Sequence, residues 1–220
     1  MSDKNRNSMK NSQHTPTCFL FDFGNVVGFF DRMITYDRIV AISGGAVDQS
    51  QVEDAVHEGN LFSRYEKGEV SSEEFIGSIL GRLSITAPFE AVKQAWSDIL
   101  TPNMDVIELF PRLKEASFKL VMGSNNNPMH YEQIRKQFGF WLKQFDSIIV
   151  SHEVGVMKPD RKFFIRCIEE CGCKPESIVY IDDLEENIHA AKRMGFIVVH
   201  YHSGVKLEIE LSRLGLLLER

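Results

Sequence analysis

Apolar residues gather in five short runs separated by longer stretches of mixed character. The runs are Cys18-Phe-Leu-Phe-Asp-Phe, Lys119-Leu-Val-Met-Gly, Ser147-Ile-Ile-Val-Ser, Ser177-Ile-Val-Tyr-Ile-Asp and Phe196-Ile-Val-Val-His. They are near-continuous, not alternating, which predicts strands buried on both faces, as in a parallel sheet covered by helices. Between the last four runs lie segments 128–140, 160–170 and 184–194. Their apolar positions fall at helical spacing: Phe164, Ile168 and Cys171 in one, Ile188, Ala191 and Met194 in another. Strand and helix in alternation predict an α/β fold, a doubly wound, Rossmann-like parallel sheet. A closing helix is expected over 205–218, weakened by Gly215.

The stretch 33–100 breaks this rhythm. It holds no convincing buried strand, whereas segments 50–58, 72–83 and 88–100 read as amphipathic helices. Ser71-Ser-Glu-Glu resembles a helix start, with an N-cap hydroxyl and carboxylates in the first turn. The organisation expected is therefore a polar tail over 1–17, a core built from 18–32 and 101–220, and an all-helical insert over 33–100.

Composition narrows the function classes. The chain has 220 residues, 43% hydrophobic and 25% charged, which supplies a sizeable core and excludes disorder and fibrous repeats. A net charge of −6 argues against nucleic acid or an anionic membrane surface as partner, since neither finds a basic patch. The four cysteines, Cys18, Cys167, Cys171 and Cys173, are too sparse for a secreted disulfide framework, and a reduced cytoplasmic setting is expected. No apolar run approaches the ~18–20 residues of a membrane span, and the tail lacks the apolar segment of a signal peptide.

In an open parallel sheet, ligands bind beyond the carboxyl ends of the strands. Here those ends are polar: Asp22-Phe-Gly-Asn after the first strand, Gly123-Ser-Asn after the second, Asp182-Asp183 after the fourth. A lone lysine, Lys158 of Gly155-Val-Met-Lys-Pro-Asp, follows the third. Three converging carboxylates require a cation, and a hydroxyl, an amide and an ammonium beside them suit a phosphoryl group. Oxygen ligands without His or Cys select Mg²⁺.

These four motifs, in this order, resemble those of the haloacid dehalogenase-like hydrolases. Asp22-Phe-Gly-Asn-Val is similar to the first motif, Ser124-Asn125 to the second, Lys158-Pro-Asp to the third, and Asp182-Asp183 with Glu186-Asn187 to the fourth. The helical insert resembles the family's cap. The Gly-Asn-Val variant, with Tyr65-Glu-Lys-Gly-Glu-Val in the cap, is most similar to a branch that includes bacterial phosphatases of glucose 1-phosphate.

The resemblance implies a Mg²⁺-dependent phosphatase of small phosphorylated metabolites, a monomer or homodimer. Asp22 would be the nucleophile, forming an aspartyl-phosphate that water hydrolyses. Asp22, the carbonyl of Gly24 and Asp183 would hold Mg²⁺, with Asp182 behind them acting through water. Ser124, the Asn125 amide and Lys158 would bind the phosphoryl oxygens, and Arg64 and Glu66 would reach the substrate from the cap.

One position departs from the pattern. Most phosphatases of this family carry an acid–base aspartate two residues after the nucleophile, and here Gly24 stands in its place. Such help is worth ~10²–10⁴-fold. The gap leaves three remedies: a better leaving group such as an anomeric sugar phosphate, a donor from elsewhere with Asp31 or Glu66 as candidates, or loss of turnover. It also admits two rivals, a metal-independent haloacid dehalogenase and a catalytically weak phospho-ligand-binding or regulatory protein. The Asp182-Asp183 pair favours phosphoryl transfer over dehalogenation. His200-Tyr-His202 and Cys171-Gly-Cys173 read as a strand end and a helix-ending turn, and Phe62, Tyr65 and Phe75 as cap core.

Overall fold

A computed structural model describes residues 15–97 and 100–216. Most of the expected polar tail, and the final residues of the expected closing helix, lie outside them. Seven strands occur among the described residues: β1 (Cys18–Phe21), β2 (Gly28–Phe30), β3 (Leu100–Pro102), β4 (Lys119–Ser124), β5 (Ser147–Val150), β6 (Ile178–Asp182) and β7 (Ile197–His200). Five form one parallel sheet in the order β5-β4-β1-β6-β7.

Both faces of that sheet are buried, which explains the continuous apolar runs. On β1, Phe19 and Phe21 join one cluster, with Leu120, Met122, Val179 and Ile181 from the neighbouring strands. Cys18 and Leu20 point the opposite way and join another, with Val121, Ile178 and Tyr180. Helices Leu109–Glu115, Pro128–Gln137 and Leu207–Arg213 cover the first face, Arg161–Cys171 and Glu185–Arg193 the second. The layered α/β fold expected from the sequence is the one observed. The closing helix ends at Arg213, short of the expected span, and Gly215 has φ +71°. Among the described residues no helix is long and apolar enough to cross a membrane.

Between β2 and β3 the described chain is helical: Arg32–Ile42, Gln49–His57, Leu61–Glu66, Ser72–Leu83 and Phe89–Ser97, with one short 3-10 turn. The starts at Gln49 and Ser72 follow capping boxes, Asp48 with Gln51 and Ser71 with Glu74. These helices enclose a core of their own, including Tyr36, Ile39, Val52, Tyr65, Phe75, Ile79 and Trp96, into which Met129 projects from the helix after β4. β2 and β3 pair antiparallel, so the chain leaves the sheet and returns to it through one short ribbon.

Candidate active site

β1 is the central strand, flanked by β4 and β6. The carboxyl ends of all three therefore lie side by side, at the point where the strand order reverses. Asp22 follows β1 directly and its N–H donates to Ile181 O at 2.9 Å. Asp182 ends β6, Asp183 comes next, and carboxylate oxygens of the three residues lie within 4.8 Å of one another. Lys158, buried on the loop after β5, donates to Asp22 Oδ1 at 2.7 Å and to Asp182 Oδ2 at 2.8 Å.

Lys158 is held from behind. The Asn125 side chain accepts from Lys158 N at 2.7 Å and donates to Lys158 O at 2.9 Å. That side chain is thus committed to the lysine's backbone, and the Ser124 hydroxyl donates to Asn125 O at 3.4 Å. Asp182 is fully engaged: Oδ1 accepts from Leu184 N at 2.8 Å and from Asn187 Nδ2 at 3.0 Å, and Oδ2 accepts from Lys158 and the Tyr180 hydroxyl. The Asp183 carboxylate accepts from the Asn25 side chain, Nδ2 to Oδ2 at 2.9 Å.

The electrostatics follow from this geometry. Burial, with Asp182 and Asp183 beside it, pushes the Asp22 carboxyl up despite Lys158. Burial and the Asp182 charge likewise raise Asp183. Asp182 is buried too, but Lys158 and the Tyr180 hydroxyl hold it below the usual range. Burial opposes the charge on Lys158, yet Asp182 and Asp22 keep it firmly protonated.

A cavity of about 160 Å³ lies between the strand ends and the helical segment, lined by Gly24, two residues after Asp22, and by Ser124 and Asn125 at the end of β4, but not by Asp22, Asp182, Asp183 or Lys158 themselves. Gly24, Ser124, Asn125 and Glu66 line its polar end, and Phe23, Phe30, Tyr36, Phe62 and Trp96 much of the remainder. Burial pushes the Glu66 carboxyl up to about 7, with Lys158 opposing and Asp22 adding to the rise. At Gly24 an added Cβ would meet Phe30 Cε1 at 3.0 Å, so the aromatic ring occupies the room that a side chain there would need.

Of the residues singled out from sequence, Asp22, Gly24, Ser124, Asn125, Lys158, Asp182, Asp183 and Glu66 gather here. Arg64 does not: it is exposed and pairs with Glu69 at 3.5 Å, because its helix turns that face to solvent. Asp31 caps helix Arg32–Ile42 through Met33 N at 2.9 Å. His200 donates from Nε2 to Asp183 O at 2.9 Å. Tyr65 is buried and stacked on Phe75, whereas Phe62 reaches the cavity. Sequence reasoning missed Asn25, Tyr180, and the part Asn187 plays in holding Asp182. Asn25, in the left-handed region at φ 54°, is the one with a usable signal, a polar turn residue beside the strand end.

The sequence model of the haloacid dehalogenase-like hydrolases matches residues 19–195. The chain is 26% identical over 202 residues to a D-ribitol-5-phosphate phosphatase of Bacteroides thetaiotaomicron, covering 88% of this chain and 95% of that one. It is 34% identical over 113 residues to a glyceraldehyde 3-phosphate phosphatase of Methanopyrus kandleri, covering 50% of this chain and 48% of that one. In structure it resembles a HAD family enzyme of Bacteroides thetaiotaomicron, with TM-score 0.80 at 21% identity, covering 90% of this chain and 98% of that one. A complex of such an enzyme from that organism with magnesium and inorganic phosphate gives TM-score 0.78 at 21% identity, covering 89% and 98%. At these identities the structural likeness speaks for the fold.

Proposed function

The chain belongs to the haloacid dehalogenase-like hydrolases, and on that premise we propose that it is a Mg²⁺-dependent phosphatase of small phosphorylated metabolites, with Asp22 as nucleophile. The observation that carries this reading is the buried cluster of Asp22, Asp182 and Asp183 with Lys158 as its paired cation. Three carboxylates against one ammonium leave negative charge uncompensated, and an all-oxygen donor set fits a hard divalent ion. Asp22, Asp183 and the carbonyl of Gly24 would hold Mg²⁺. The bound ion supplies positive charge that lets an anionic substrate approach an anionic site.

Each step has a residue in place for it. A carboxylate oxygen of Asp22 attacks phosphorus, and the ester P–O bond breaks with its electron pair leaving on the substrate oxygen. That oxygen takes a proton from Glu66, which lines the same cavity as Ser124 and whose carboxyl burial pushes up to about 7. Water then attacks the phosphorus of the aspartyl-phosphate, gives a proton back to Glu66, and releases inorganic phosphate with Asp22 restored. Lys158, the Ser124 hydroxyl and the Asn125 N–H hold the phosphoryl oxygens. Asp182 acts by fixing Lys158, since its own oxygens are already taken. The helical segment 33–100 serves as a cap that excludes water over the cavity.

Hydrolytic dehalogenation also suits a nucleophilic aspartate followed by Gly24, because a halide leaves without a proton. The carboxylate cluster favours phosphoryl transfer over it. Phosphate esters and haloacids incubated with Mg²⁺ or with chelator, using wild type and Asp22→Asn, separate the readings. Phosphate release that needs Mg²⁺ and vanishes in the variant is expected. Halide release indifferent to chelator would replace the phosphatase with a dehalogenase, and Mg²⁺-dependent binding of phosphate esters without turnover would replace it with a phospho-ligand binder.

A further inference from the structure

Resting on the phosphatase reading above, we propose that the alcohol released from this site is a single-ring phenol, so that the substrate is an aryl phosphate and not a polyol or sugar phosphate. The cavity starts at Gly24 and Ser124 and is walled by the rings of Phe23, Phe30, Tyr36, Phe62 and Trp96. Its volume of about 160 Å³ is close to the roughly 150 Å³ of an apolar protein cavity that accepts benzene. One aromatic ring attached to a phosphoryl group at the Gly24 and Ser124 end fills that space against aromatic walls.

A polyol would fare worse in the same space. It carries a hydroxyl on nearly every carbon, and each one buried without a partner costs free energy. Several polar groups of the lining are already engaged. His130 is spent, donating from Nε2 to Trp96 O at 2.9 Å and accepting from Asn127 Nδ2 at 3.1 Å. The Asn125 side chain is spent on the Lys158 backbone. His57 and Arg32 are exposed residues at the rim. Two lining groups are buried without a hydrogen-bond partner among the described residues, Thr35 Oγ1 and Trp96 Nε1, in residues 2% and 3% exposed. They provide for a polar substituent or two on a ring.

The leaving-group chemistry points the same way. A phenol ionises near ~10, as the tyrosine side chain does, whereas an alkanol resembles water at roughly 15.7. A phenolate departing with the P–O electron pair asks least of a proton donor. Here that donor is Glu66, carried on the helical segment, since position 24 of the nucleophile's own loop has no side chain.

Two measurements on the full-length protein with Mg²⁺ test the inference. In turnover, kcat/KM for phenyl phosphate is expected to exceed that for cyclohexyl phosphate, ribitol 5-phosphate and glucose 1-phosphate. In calorimetric binding, which removes leaving-group reactivity from the comparison, phenylphosphonate is expected to bind about tenfold or more tightly than methylphosphonate. Phe62→Ala should shrink that ratio at least about threefold by weakening phenylphosphonate more than methylphosphonate. A polyol or sugar phosphate with the higher kcat/KM, or a phenyl-to-methyl ratio near one in the wild type, overturns the aryl assignment and leaves the phosphatase standing. Absence of turnover on every ester overturns the phosphatase reading instead, and the phosphonate ratio still reports on the cavity.

Discussion

Glu66, half-buried at the cavity, and Asp182, fully buried at the end of β6, are both desolvated carboxylates, and their partners drive them in opposite directions. Glu66 gains no hydrogen-bonded cation, so burial lifts it to about 7. Its folded value lies above its unfolded value, so the fold is stabilised by the proton and loses that contribution as pH rises from about 4.5 through 7. Glu66→Gln should therefore melt higher than wild type at pH 8 by a larger margin than at pH 5. In kinetics, the alkaline fall of kcat/KM on alkyl phosphates should flatten in this variant and kcat should drop by about 10²-fold or more; an unchanged alkaline limb would remove Glu66 from proton transfer. Asp182 is tied to Lys158, Tyr180, Leu184 and Asn187. Asp182→Ala leaves a buried ammonium with one carboxylate instead of two and should cost about 3–5 kcal/mol in denaturant unfolding.

Among the elements, the five long strands were legible because burial on both faces writes a continuous apolar run, and the capping box at Ser71 marked its helix to the residue. β2 and β3 were not, since three residues each give no period to read. Helix Arg32–Ile42 was also missed: its buried side is confined to Thr35, Tyr36 and Ile39, too sparse a stripe to stand out. The motif residues at the strand ends could be placed because strand order dictates their proximity. The bonds from Asn25 to Asp183 and from Asn125 to Lys158 join residues far apart in sequence, and no local pattern announces them. Contacts between the helical segment and the sheet were equally hidden. Ser151 Oγ donates to Glu66 O at 2.6 Å, and Gly68, at φ +70°, lies where a Cβ would come within 2.3 Å of His152 O. Gly68→Val should force these surfaces apart, raising KM severalfold and increasing protease cleavage in 33–100. Unchanged KM and cleavage would mean that this approach does not govern access to the cavity.

Over the whole molecule, the net charge of −6 acquires a local meaning, because part of the acidic excess sits in the cluster of Asp22, Asp182 and Asp183, which could hold a divalent cation. Mg²⁺ at about 100 times its Kd should stabilise the fold by about 2.7 kcal/mol, a rise in melting temperature of roughly 5–10 °C for a chain of this size. Asp183→Asn should abolish most of that rise without lowering the melting temperature in chelator, since burial already disfavours the Asp183 charge. A full Mg²⁺ shift in the variant would move the ion elsewhere. The proposed reaction turns on attack by Asp22 at phosphorus, and the most direct test is rapid acid quenching during turnover of phenyl phosphate, followed by mass mapping of the protein. One phosphoryl group on the peptide that contains Asp22, appearing faster than free phosphate accumulates and absent from Asp22→Asn, is the predicted result; phosphate release with no phosphoryl-enzyme, or with the label on another residue, would contradict it.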